Sequence, residues 1–105
     1  MSNQEVLNTI KSTVHSFLPD ARVLLFGSRA RGKYNKNSDF DVLVITKSTF
    51  PAKEKRNWRT KINDAIVTAI HAPVDVLFNS EDEVNIKKEL PGHVVRWALK
   101  DAFLL

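Results

Sequence analysis

The chain of 105 residues contains no cysteine, only three glycines and four prolines, and a single methionine and tyrosine. Without cysteine there can be no disulfide and no thiolate metal site, which accords with a reducing cytoplasm, the expected location. No apolar run approaches the roughly 20 residues of a membrane-spanning helix. The opening stretch MSNQEVLNTI has neither the basic start nor the apolar core of a signal peptide, so no membrane partner is expected. The three histidines, His15, His71 and His93, lack the paired spacing of a zinc site, and no G-x-S-x-G elbow marks a serine hydrolase. There are no repeats, low-complexity segments or linkers, and the length suits one domain, 1–105.

What is present is ordinary for a globular chain, with 43% hydrophobic and 27% charged residues. The net charge of +4 suits an anionic ligand. It is too mild to indicate nucleic acid, because a slightly basic surface explains it equally well.

One stretch organises the rest: LLFGSRARGKYNKNSDFDVLVI, from Leu24 to Ile45. It reads as an apolar strand over Arg22–Phe26, a Gly-Ser turn, a basic polar loop, and a second strand over Asp39–Ile45. Alternation along a strand points Asp39 and Asp41 one way and Phe40, Val42 and Val44 the other. Two adjacent carboxylates repel unless a cation lies between them, and Mg²⁺ takes hard oxygen donors while keeping positions open for water and phosphate. Gly27 allows a tight turn, and Ser28 is expected to cap a short helix whose free N–H groups attract anions. Arg29, Arg31, Lys33 and Lys36 add positive charge to the same loop. An anion cradle and a cation site one loop apart suit a metal-bridged triphosphate.

Gly27-Ser28 followed ten residues later by Asp39-x-Asp41 resembles the signature of the DNA polymerase β-like nucleotidyltransferase superfamily. The fuller Gly27-Ser28-Arg29-Ala30-Arg31-Gly32, with Ser38-Asp39-Phe40-Asp41, is similar to its minimal (MNT) members. Two motifs joined at a fixed spacing between two strands are far more specific than either pair alone. The resemblance covers roughly Arg22 to Phe78. It implies a palm-like core, two Mg²⁺ ions, and a third metal-binding carboxylate on a later strand, a role that falls on Asp75. It further implies β/γ-phosphate contacts from Gly27 and Ser28, and charge neutralisation by Arg31 and Arg29. MNT proteins are often encoded beside HEPN-domain toxins, and the catalytic ones add AMP to a toxin tyrosine.

The remaining chain reads as α/β. Ser2 and Glu5 form a capping box for a helix through Phe17, with Val6, Ile10, Val14 and Phe17 on one face. His15 is expected to be structural. Tyr34 reads as a plain loop tyrosine before a base-stacking one. A long helix over Ala52–Ile70 carries an apolar stripe of Trp58, Ile62, Ala65, Ile66, Ala69 and Ile70. The cations Lys53, Lys55, Arg56, Arg59 and Lys61 crowd its first half and read as a solvated face. Pro73–Phe78 forms a third strand, with Asp75 opposite Val74, Val76 and Phe78. Ser80–Glu83 is a second capping box, starting a helix through about Glu89. A last helix carries Val94, Val95, Trp97, Ala98 and Ala102 into Phe103-Leu104-Leu105, an apolar tail for the chain's own core or a partner.

The expected architecture is a small mixed sheet with helices on one face and the carboxylates on the other. The expected activity is Mg-dependent transfer of a nucleoside monophosphate from an NTP, ATP by preference, to a hydroxyl. The catalytic set is Asp39, Asp41 and Asp75, with Gly27, Ser28, Arg29 and Arg31 on the nucleotide. The competing reading is a non-catalytic subunit that neutralises a HEPN-type partner by contact. An aminoglycoside-type transferase fits less well, because the chain leaves little room for a drug site. Acceptor, base and oligomeric state are not written in the residues.

Overall fold

A computed structural model describes residues 1–105. Four strands form one mixed sheet in the order β3-β2-β1-β4. They are β1 (Arg22–Phe26), β2 (Phe40–Thr46), β3 (Val74–Ser80) and β4 (Phe103–Leu104). The helices are α1 (Asn3–Phe17), α2 (Gly27–Ala30), α3 (Ala52–Ile70), α4 (Glu81–Lys87) and α5 (Val94–Leu99).

The capping box starts α1 as expected: the Ser2 hydroxyl accepts from the Glu5 N–H, and the Glu5 carboxylate accepts from the Ser2 N–H. Ile10 and Val14 are then fully buried, and Val6 and Phe17 pack beside them. The Phe17 ring meets Trp58 of α3 edge-on at 6.5 Å, which locks the two long helices together. His15 donates from Nε2 to the Ala21 carbonyl at 2.8 Å and so serves the turn into β1. Helix α3 ends where His71 adopts the left-handed conformation, φ 54°, and its N–H bonds to Val67.

Strands β1 and β2 pair antiparallel, whereas β2 and β3 pair parallel. A parallel pair needs a crossover of about a dozen residues or more, and α3 supplies it. Alternation sorts the strands into two faces. Val23, Leu25, Phe40, Val42, Val44, Val76 and Phe78 pack with α1 and α3 in the larger core. Phe26, Leu43 and Ile45 face the other way and pack with Val84 of α4 and with Val95 and Ala98 of α5.

The two long helices thus lie on one face, as expected, and two short helices cover part of the second. The second strand begins at Phe40, so Asp39 stands just outside it. The third runs on to Ser80, and α4 stops at Lys87 rather than about Glu89. The C-terminal tail leaves the helix and becomes β4, pairing antiparallel with Leu24 and Leu25. The open edge of β1 explains this: its unpaired backbone groups take Phe103, Leu104 and the Leu105 N–H, which bonds to the Val23 carbonyl at 2.8 Å.

Candidate active site

The pairing registers align three residues in one row across the sheet. Phe26 of β1 lies opposite Asp41 of β2, and Asp41 lies beside Asp75 of β3. All three belong to the face that carries Leu43 and Ile45, opposite α1 and α3. Asp39, two residues before Asp41, sits at the mouth of β2 and is exposed, as is Asp75, whereas Asp41 is half-buried. Burial and then the charges of Asp75 and Asp39 push the Asp41 carboxyl above the usual aspartate range, and Arg31 pulls it back. The three carboxylates therefore share one electrostatic environment.

The turn after β1 presses against this row. Gly27 has φ +75°, and a Cβ there would lie 2.1 Å from Asp41 Oδ2. Only glycine combines the left-handed backbone with that approach. The chain then forms the single turn of α2. Ser28 is not its cap, contrary to expectation: the cap position is Phe26, and no side chain caps the helix. A tight turn at Gly27 places the first helical residue one position early, which leaves Ser28 inside the helix.

The two arginines part ways. Arg29 donates from Nε and Nη2 to the Ser38 carbonyl, at 3.2 and 2.9 Å. Its guanidinium lies 3.9 Å from the Phe40 ring centre and 4.6 Å from that of Tyr34, whose hydroxyl accepts from the Asn3 amide. Phe40 points to the α1–α3 face, so Arg29 staples the loop there. The Ser38 carbonyl takes two of the guanidinium's five N–H donors, which leaves three for the expected phosphate contact while the side chain also holds the loop. Tyr34 sits as a loop tyrosine, its ring against Arg29 and its hydroxyl bonded to Asn3.

Arg31 turns toward the carboxylates' side. It pairs with Asp101 at 3.2 Å and lies 5.7 Å from the Trp97 ring centre. Trp97 in turn meets Phe26 edge-on at 6.1 Å. Trp97 is expected from the sequence only as an apolar residue of the last helix and Asp101 in no role, yet both meet Arg31 here. The available signal was His93, Arg96, Trp97 and Lys100, whose helical spacing puts a tryptophan among cationic or imidazole groups on one face.

Hard oxygen donors, like-charge repulsion and a raised carboxyl make this row chemically suited to Mg²⁺. Nowhere in the chain do three acidic or imidazole side chains already converge closely enough to enclose an ion, so Asp39, Asp41 and Asp75 would have to rotate toward one. The histidines stay apart from it. His71 caps α3 and His93 caps α5, where its Nδ1 accepts from the Val95 N–H at 3.1 Å.

Known proteins carry the same plan. The family described as nucleotidyltransferase domain matches residues 7–100. A proposed protein adenylyltransferase of Methanocaldococcus jannaschii is 43% identical over 54 residues, or 50% of this chain and 54% of that protein. The matched stretch thus spans about half the length of that relative. A solved structure of a proposed minimal nucleotidyltransferase superposes with a TM-score of 0.68 at 20% identity, covering 100% of this chain and 97% of the other. A complex of tri-AMPylated Shewanella oneidensis HEPN toxin with MNT antitoxin gives 0.62 at 15% identity, covering 98% and 71%. At such identities the likeness is one of fold. The family match, by contrast, takes in the glycine turn, both carboxylate strands and the helix between them, and by it this chain belongs to the nucleotidyltransferase domain family.

Proposed function

We propose that this domain transfers AMP from ATP to a hydroxyl and releases pyrophosphate, and that the acceptor is a tyrosine of a HEPN-type toxin. The observation that carries the reading is the contact of Gly27 with Asp41, in register with Asp75. It joins a turn suited to phosphate with a row suited to a cation.

In this reading the acceptor oxygen attacks the α-phosphorus. The new P–O bond forms as the bond to the bridging oxygen of the β-phosphate breaks, and the electron pair leaves with pyrophosphate. Asp39, Asp41 and Asp75 would hold two Mg²⁺ ions, which when bound lower the acceptor's pKa and stabilise charge on the phosphoryl oxygens. Asp75, exposed at the mouth of the row, takes the acceptor's proton. The Gly27–Ser28 backbone receives the β- and γ-phosphates, and Arg31 neutralises them once it leaves Asp101. Arg29 holds the loop in place and has N–H donors left for the same phosphates. The support from relatives is indirect: one is a proposed protein adenylyltransferase, and another fold relative is an antitoxin bound to an AMPylated toxin. A cytoplasmic location goes with this reading.

The test is to incubate a HEPN-type toxin with ATP, Mg²⁺ and this protein and weigh the toxin by intact mass spectrometry. Added AMP is expected with the wild type and none with Asp41→Asn. Full neutralisation of the toxin without any mass shift would replace transfer with inhibition by contact.

A further inference from the structure

Helix α5 builds a second feature beside the carboxylate row. A cavity of about 400 Å³ is lined by Gly92, His93, Val94, Arg96, Trp97 and Lys100. That volume falls within the range of small-molecule sites. Trp97 is 48% exposed, although a tryptophan is among the side chains with most to gain from burial. It is nonetheless held in position. One contact is Phe26, the residue before the Gly27 turn, and another is the Arg31 guanidinium. Val95 and Ala98, its neighbours on α5, are buried against the sheet face that bears Asp41. A wide, oriented and half-open aromatic ring lies beside the turn and is flanked by an imidazole and two further cations.

We infer that this cavity is the subsite for the base of the nucleotide, with Trp97 as the stacking platform and a purine as its occupant. The inference rests on the nucleotidyl-transfer reading and extends it to a part of the ligand that the glycine turn and carboxylates do not address. A planar base gains by stacking on the indole, and the largest aromatic side chain favours the larger bases. Lys100 and Arg96 border the same space and favour a polyanionic ligand over a free base. Arg31 links the two regions, because its charge reaches Asp41 while its guanidinium lies against Trp97.

The experiment compares binding of a non-hydrolysable ATP analogue and of inorganic tripolyphosphate, both with Mg²⁺, by isothermal titration calorimetry. Wild-type protein is expected to bind the analogue more tightly than tripolyphosphate. Trp97→Ala should weaken the analogue by between about fivefold and a hundredfold and leave tripolyphosphate within about twofold, while Trp97→Phe restores most of the loss. Unchanged analogue affinity in Trp97→Ala, or an equal loss for both ligands, would overturn the assignment. Should Trp97→Ala fail to fold, the wild-type comparison and Trp97→Phe decide. If wild type binds tripolyphosphate but gains nothing from the nucleoside, the base subsite alone falls. If it binds neither ligand, the phosphate site falls with it.

Discussion

Gly27 does two things that no other residue can do together. Its backbone is left-handed, and its missing side chain lets the turn touch Asp41. Left-handed backbone costs a residue with a Cβ roughly 1–2 kcal/mol, and the overlap with Asp41 adds to it. Gly27→Ala is therefore expected to destabilise the fold by about 2 kcal/mol or more in urea unfolding. In an Asp41→Gly background the overlap disappears and only the backbone cost should remain, so the second Gly27→Ala should be cheaper than the first. Equal costs in the two backgrounds would show that the contact carries no energy.

Among the elements, those with a local chemical signature were legible in the sequence. Both capping boxes formed as their Ser-x-x-Glu spacing implied, and the alternation from Phe40 to Val44 correctly sent Phe40, Val42 and Val44 to the core under the long helices and Asp41 to the other face. What the sequence hid depended on tertiary partners. Arg29 and Arg31 are alike in a linear reading, and only the placement of Phe40 and Trp97 sends them to opposite faces. The tail after Ala102 looks helical by composition, and only the open edge of β1 makes it a strand.

Helix α4 shows how a local signal is reinforced from afar. The Ser80 hydroxyl accepts from the Glu83 N–H at 3.1 Å and from the Thr49 hydroxyl at 2.7 Å. Burial pushes the Glu83 carboxyl up, yet the Ser80 N–H and then Lys55 outweigh it and hold the group below the usual range. Ser80→Ala removes the cap and gives the exposed Thr49 hydroxyl back to water, at a cost of about 1 kcal/mol in the free energy of urea unfolding. A change under about 0.5 kcal/mol would mean that the cap is supplied elsewhere.

For the whole molecule, the carboxylate row is a liability to the apo fold. Because the folded state raises the Asp41 pKa, it binds its proton more tightly than the unfolded chain does. Stability is therefore lost as pH rises from the ordinary aspartate range through the raised value, and stays lost above it. Asp41→Asn should be as stable as wild type, or more so, at neutral pH, and its advantage should shrink on acidification. An advantage that did not vary with pH would contradict this account. Mg²⁺ at about ten times its dissociation constant should stabilise wild type by about 1.4 kcal/mol, or roughly 5–10 °C in Tm, and Asp41→Asn by much less.

The in-register pair of Asp41 and Asp75 also acts as a ruler. Their separation is set by the spacing of neighbouring strands, about 4.8 Å, and not by the loops that deliver them. The exposed connections at residues 35–37 and 88–91, which carry none of the site residues, can therefore lengthen at little cost, since doubling a flexible loop costs only about 0.6 kcal/mol. A single residue inserted between Asp41 and Thr46 is different, because it would move one carboxylate relative to the core on which its strand is registered. Variation in length can accumulate in these connections while the chemistry stays in place, so the same two-strand gauge can serve acceptors of quite different shape.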